Sequence, residues 1–131
     1  MTLDRQKKKT VALVVLVVYW LILFLGTTLP SSSLPDTPSG DKLNHFAGYA
    51  VLSFLLFNWF RLKDEAGTAD IKLLQKSFII ASVYGVLDEV HQLLIPGRFF
   101  EWYDILADIN GAALGLAVAF VVFRTFPRFY R

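Results

Sequence analysis

Ionisable side chains stand in this sequence where apolar helices begin and end. In LDEVHQLLIPGR, residues 87–98, Asp88, Glu89, His91 and Gln92 directly follow the apolar run FIIASVYGVL. Asp41, Lys42, His45 and Tyr49 open a second apolar stretch, and Asp104 and Asp108 open a third. Carboxylates with a histidine can act as general acids and bases, or bind a divalent metal through oxygen and imidazole ligands. Lysine and arginine at the same level can hold a phosphate or carboxylate, Arg98 through a bidentate fork and Lys42 as a point charge.

The elements that position these groups read as membrane spans. The chain has 131 residues, 55% of them hydrophobic, and no cysteine. That length suits one domain, residues 1–131. Residues 11–29 carry no charge, and about 20 such residues span roughly 30 Å of hydrocarbon as a helix. Three further apolar blocks follow, so the expected class is all-α: a polytopic membrane protein, a bundle of four transmembrane helices over about 10–29, 42–60, 75–95 and 103–124. A cleaved signal peptide is the alternative for the first block, but its apolar run is too long and no small-residue cleavage site follows. Without cysteine there is no disulfide scaffold and no thiolate metal site.

Basic residues group at 5–9, 61–76 and 124–131, which four spans place on one face. The positive-inside rule then puts both termini in the cytoplasm of a cell-membrane protein. Each basic group simply flanks a span, so no nucleic-acid partner is expected. The loop PSSSLPDTPSGD, residues 30–41, cannot continue a helix and should lie outside.

Helical rise gives a ruler of about 1.5 Å per residue. His45 lies about 24 Å from Arg61, Asp88 and Glu89 about 18–20 Å from Lys76, and Asp108 about 24 Å from Arg124. All fall in the outer third of a core of about 30 Å. Helical phase aligns Asp41, His45 and Tyr49 on one face, and Glu89 with Gln92 on another. His91 points about 160° away from Glu89, toward lipid headgroups. Asp88 reads as hydrated near the rim. Asp104, Asp108, Gly111 and Gly115 form a stripe whose Gly-x-x-x-Gly permits close helix contact. Charged groups inside membranes usually face the bundle interior and pair. The expectation is a polar pocket open to the outer face, with acids Asp41, Glu89, Asp104 and Asp108 and bases Lys42, Arg98 and His45. The bland readings are a hydrated N-cap at Asp41, and at Asp104 a helix cap or a structural pair with Arg98.

DKLNHFAGYAVL (41–52) and DEVHQLLIPGRFFEWYDILADINGAALG (88–115) resemble the VanZ family. The resemblance rests on Asp41, Lys42, His45, Tyr49, Glu89, Gln92, Pro96, Gly97, Arg98, Asp104, Asp108, Gly111 and Gly115. It implies a small bacterial cell-envelope membrane protein, in a family whose founding member is associated with low-level teicoplanin resistance. Many members carry Asn at the position of Asp108.

Three chemistries fit. In the first, the pocket recognises an anionic envelope lipid headgroup or a lipid-linked cell-wall precursor, with Asp41, Lys42, Tyr49, Gln92, Arg98 and Asp108 as ligand-binding residues. In the second, a membrane-embedded hydrolase or transferase uses Glu89, His45 and Asp104 as catalytic residues, with or without a metal cofactor. No zinc-protease signature, nucleophile elbow or phosphate loop supports a named enzyme class. A proton or ion path ranks third, because the inner halves of the spans lack polar residues. The pocket can close within one chain or between copies in a homo-oligomer.

Overall fold

A computed structural model describes residues 3–33 and 40–130. Residues 34–39, most of the expected outer loop, lie outside the described residues. The described residues form four long helices and no strand: α1 Leu3–Thr28, α2 Lys42–Lys63, α3 Asp70–Gln92 and α4 Trp102–Thr125. Single 3-10 turns lie at Ser31–Ser33 and Pro127–Tyr130.

Four helix boundaries differ from the expected spans by three residues or more: α1 and α3 start earlier, α2 ends later and α3 ends earlier. The first helix starts at Leu3 rather than about residue 10, so Arg5, Lys7, Lys8 and Lys9 are helical. Arg5 donates to the Asp64 carbonyl and Lys9 pairs with Glu65 at 2.5 Å, fastening this end of α1 to the α2–α3 loop. The third helix stops at Gln92 rather than about 95. Leu93, Leu94 and Ile95 each donate to the carbonyl three residues back, which tightens the chain out of the α-helix. Pro96 and Gly97 then form a turn closed by Arg98 N–H on the Ile95 carbonyl. Gly97 has φ +75°, the left-handed value that the third position of a type II turn requires.

The second helix packs against each of the other three, and most closely against α4. The glycine stripe is the reason. A Cβ on Gly111 would fall on the Phe46 carbonyl, and one on Gly115 on the Ala50 carbonyl. Where they cross, Ser53 Oγ donates to the Ala112 carbonyl at 2.9 Å. Interhelical bonds of this kind are worth about 0.6–2 kcal/mol in a membrane.

Polarity is arranged inside out. Asp88, Glu89, Asp104 and Asp108 are buried, whereas large apolar side chains are exposed on all four helices, among them Leu21, Val51, Val83 and Val121. Helices α1 (from Asp4) and α4 are long and apolar enough to cross a membrane. Helices α2 and α3 fall short of that test, because Asn44, His45 and Asn58 dilute one, and Asp88, Glu89, His91 and Gln92 the other. Both described ends of the chain and the α2–α3 loop share one end of the bundle. The ionisable cluster occupies the opposite end.

Candidate functional site

The close α2–α4 crossing dictates the first pair in the cluster. With Gly111 and Gly115 pressed on α2, the next turns of that stripe carry Asp108 and Asp104 against His45 and Lys42. His45 Nδ1 lies 2.9 Å from Asp108 Oδ1, both side chains being buried. Lys42 Nζ reaches Glu101 Oε2 at 2.7 Å and stands 3.2 Å from Asp104 Oδ1. The first contact is a hydrogen bond. The second is an ion pair without hydrogen-bond geometry, since Asp104 Oδ1 has no hydrogen-bond partner.

The third helix supplies the remaining acids. Gly85 lets it approach, since a Cβ there would stand 2.8 Å from Asp108 Oδ2. Glu89 is fully buried, and its Oε2 accepts the Glu101 backbone N–H at 2.9 Å. That N–H is available because Glu101 is extended, ahead of the first turn of α4. Glu89 Oε1 has no hydrogen-bond partner and lies 3.8 Å from His45 Nε2. Asp41 Oδ2 and Asp104 Oδ2 lie 3.7 and 3.9 Å from the same nitrogen. Ligand atoms of Asp41, His45 and Asp104 fall within 4.8 Å of one another, so these residues could hold a metal.

Asp41 precedes α2 but makes no side-chain cap. Its carboxylate accepts Arg98 Nη1 at 2.5 Å instead, and Arg98 Nε donates to the Leu29 carbonyl. The nearby His45 imidazole, and then Arg98, hold the Asp41 carboxyl well below its ordinary range, at about 2. Arg98 therefore pairs with Asp41, and the alternative pairing with Asp104 is not the one formed.

Two expectations are corrected. Asp88 is not a hydrated rim residue: it is 2% exposed, and its Oδ2 accepts Tyr49 O–H at 3.3 Å. Successive positions on α3 are about 100° apart, so Asp88 and Glu89 can both be buried where neighbouring helices cover two sectors. His91 does not face headgroups alone; its ring stacks on Phe24 of α1 at 5.1 Å. It remains outside the cluster. Tyr49 and Gln92 are buried; Tyr49 bonds Asp88 and stacks on Tyr84, whereas Gln92 Nε2 has no hydrogen-bond partner.

Two contributors had weak sequence signals. Glu101 holds both Lys42 and, through its backbone, Glu89; its only signal was an acid just before a helix. The first helix supplies the wall of a cavity of about 260 Å³ lined by Ile22, Gly26, Thr27, Asp41, His45 and Arg98, among others. Its signal was Gly26-Thr27-Thr28 interrupting an apolar run. Lys42 does not line this cavity, lying on the α4 side between two acids. A larger cavity, about 650 Å³, lies at the other end of the bundle beside Lys7, Phe54 and Phe129, remote from the acids.

The VanZ/LLP1 family profile matches residues 4–124. An uncharacterized protein of the fission yeast Schizosaccharomyces pombe is 26% identical over 103 residues, which are 78% of this chain and 60% of that protein. The chain thus spans about three fifths of that relative's length. No solved structure matches.

Proposed function

The chain belongs to the VanZ/LLP1 family, and we propose that it is a four-span membrane protein that receives the polar head of an anionic envelope lipid or lipid-linked cell-wall precursor. The receiving site is the cavity between α1 and α2. The observation that supports this is the placement of Arg98 beside an apolar wall. Its side chain is 9% exposed and shares the cavity lining with Ile22 and Leu23. Among the described residues, its hydrogen bonds engage Nε and Nη1, leaving Nη2 uncommitted. An oriented, half-used guanidinium next to apolar side chains suits a phosphate or carboxylate that carries a lipid tail.

The four-span reading is supported by the exposed apolar side chains on α2 and α3 and by the burial of His45, Asp88 and Glu89. Both termini would then lie in the cytoplasm, with the acidic end of the bundle outside. A relative in a fungus favours a headgroup chemistry that is not confined to peptidoglycan precursors. A link to teicoplanin susceptibility is a separate expectation.

Lipid analysis of the purified protein tests the reading. Arg98→Ala should lose a co-purifying anionic lipid that Arg98→Lys partly retains. An identical lipid profile in the wild type and Arg98→Ala would refute it.

A second reading is supported by the His45–Asp108 pair. The carboxylate orients the imidazole, as it does in acid–base catalysis, and Glu89 and Asp104 stand beside it. A membrane-embedded hydrolase or transferase acting on the same lipid would lose turnover in His45→Gln while retaining binding.

A further inference from the structure

The acids around His45 outnumber the cations that could neutralise them. Asp88, Glu89, Asp104 and Asp108 are buried, with Asp41 half-buried and Glu101 exposed beside them, about Lys42, Arg98 and one histidine. Burying excess charge is costly unless a counter-ion joins it. His45 shows where such an ion would sit. Its Nδ1 is engaged by Asp108, the arrangement in which a carboxylate fixes the tautomer and aims the other ring nitrogen at a metal. Nε2 then faces Asp41 Oδ2, Glu89 Oε1 and Asp104 Oδ2 at 3.7, 3.8 and 3.9 Å. These distances are too long for hydrogen bonds. They are close to the separation of about 3.3–3.6 Å between donors that share a tetrahedral ion with bonds of about 2.0–2.2 Å. Glu89 adds an independent sign: it is fully buried, and Oε1 points at this position with no hydrogen-bond partner.

We propose that His45, Asp104 and Asp41, whose ligand atoms lie within 4.8 Å of one another, bind one divalent transition-metal ion where α2 meets α4, with Asp108 orienting His45 and the Glu89 carboxylate of α3 facing the same nitrogen. One imidazole and several carboxylates, with no thiolate, suit Mn²⁺ or Zn²⁺. Asp41 is the outermost ligand and is shared with Arg98, so the ion borders the cavity between α1 and α2. A bound phosphate could meet both the ion and Arg98. The site does not depend on lipid binding.

The test is titration of Mn²⁺ into the EDTA-treated full chain in lipid-free detergent. Free Mn²⁺ is followed by electron paramagnetic resonance, and Zn²⁺ retention is measured by elemental analysis after gel filtration. About one ion per chain is expected. Asp104→Asn, which preserves shape, should weaken binding at least tenfold, and Glu89→Gln, which removes the charge facing His45 Nε2, should weaken it less. Asp108→Asn should weaken it about 10- to 100-fold through His45. Glu65→Gln, at the opposite end, should bind like the wild type. His45→Ala should abolish binding; thermal melts of the same samples identify any variant that has not folded, and Asp104→Asn decides the matter if His45→Ala has not. No saturable binding, or equal binding by the wild type and Asp104→Asn, would overturn the proposal. The lipid profile of Arg98→Ala is read separately, so failure of the metal site and failure of lipid recognition are distinguishable.

Discussion

Replacing Gly115 by alanine should force α2 and α4 apart and take the acidic cluster with them. A Cβ at Gly115 falls on the Ala50 carbonyl oxygen, beside Ser53 Oγ, and 2.7 Å from the Ala50 carbonyl carbon. Optimal carbon–carbon contact lies at about 3.5–4.0 Å, so the backbones must separate by about 0.8 Å or more. The obstacle is backbone and cannot swing aside. Overpacking of this kind costs about 1–3 kcal/mol. The bond from Ser53 to the Ala112 carbonyl sits at the same crossing, and its loss adds about 1 kcal/mol. The sum, about 2–4 kcal/mol, corresponds to a roughly 30- to 900-fold fall in the folding constant. Reversible unfolding in mixed micelles, followed by tryptophan fluorescence, measures it. Gly26→Ala is the control: nothing lies within 4 Å of its Cβ, and it should be neutral or stabilising by up to about 1 kcal/mol. If Gly115→Ala unfolds within about 0.5 kcal/mol of the wild type, the close crossing is wrong, and so is the placement of Asp104 and Asp108.

Tyr49→Phe should cost about 1–3 kcal/mol in the same assay, because Asp88 stays buried and loses the hydroxyl that bonds its Oδ2. Asp64 carries a pH dependence: the Thr68 hydroxyl and N–H hold its carboxyl below the ordinary carboxylate range. Its contribution is therefore full above about pH 4 and is lost as pH falls through the lower folded value. Asp64→Ala should be less stable by about 1–2 kcal/mol at pH 7, with the gap closing toward pH 3 in thermal melts. Glu101→Gln breaks an exposed pair with Lys42 and should change stability by no more than about 1 kcal/mol, with the difference shrinking in high salt. Reporters inserted at Gly67 and after Tyr130 should lie on one side of the membrane and one inserted at Phe99 on the other; any other pattern rejects the four-span topology.

The helical class, the four helices and the grouping of polar residues at one level were legible in the sequence. They follow from local quantities: runs of apolar residues, a rise of about 1.5 Å per residue, and a Pro-Gly turn. The stripe through Asp104, Asp108, Gly111 and Gly115 was legible too, because one helix's period sets it without reference to its neighbours. Which neighbour each polar group meets was not legible. Asp88 and Glu89 are adjacent in sequence and about 100° apart around the helix, and the period alone does not say whether neighbours cover both directions. Both are buried, because neighbouring helices cover two sectors of α3. Lys42 and Arg98 both read as rim cations, yet one is held between Glu101 and Asp104 while the other borders the cavity with Asp41. Sequence order carries no information on where helices stand around the bundle axis, and that order alone decides partners. The convergence of Asp41, Glu89 and Asp104 on His45 Nε2 is a property of three helices meeting, so only the tertiary structure could provide it.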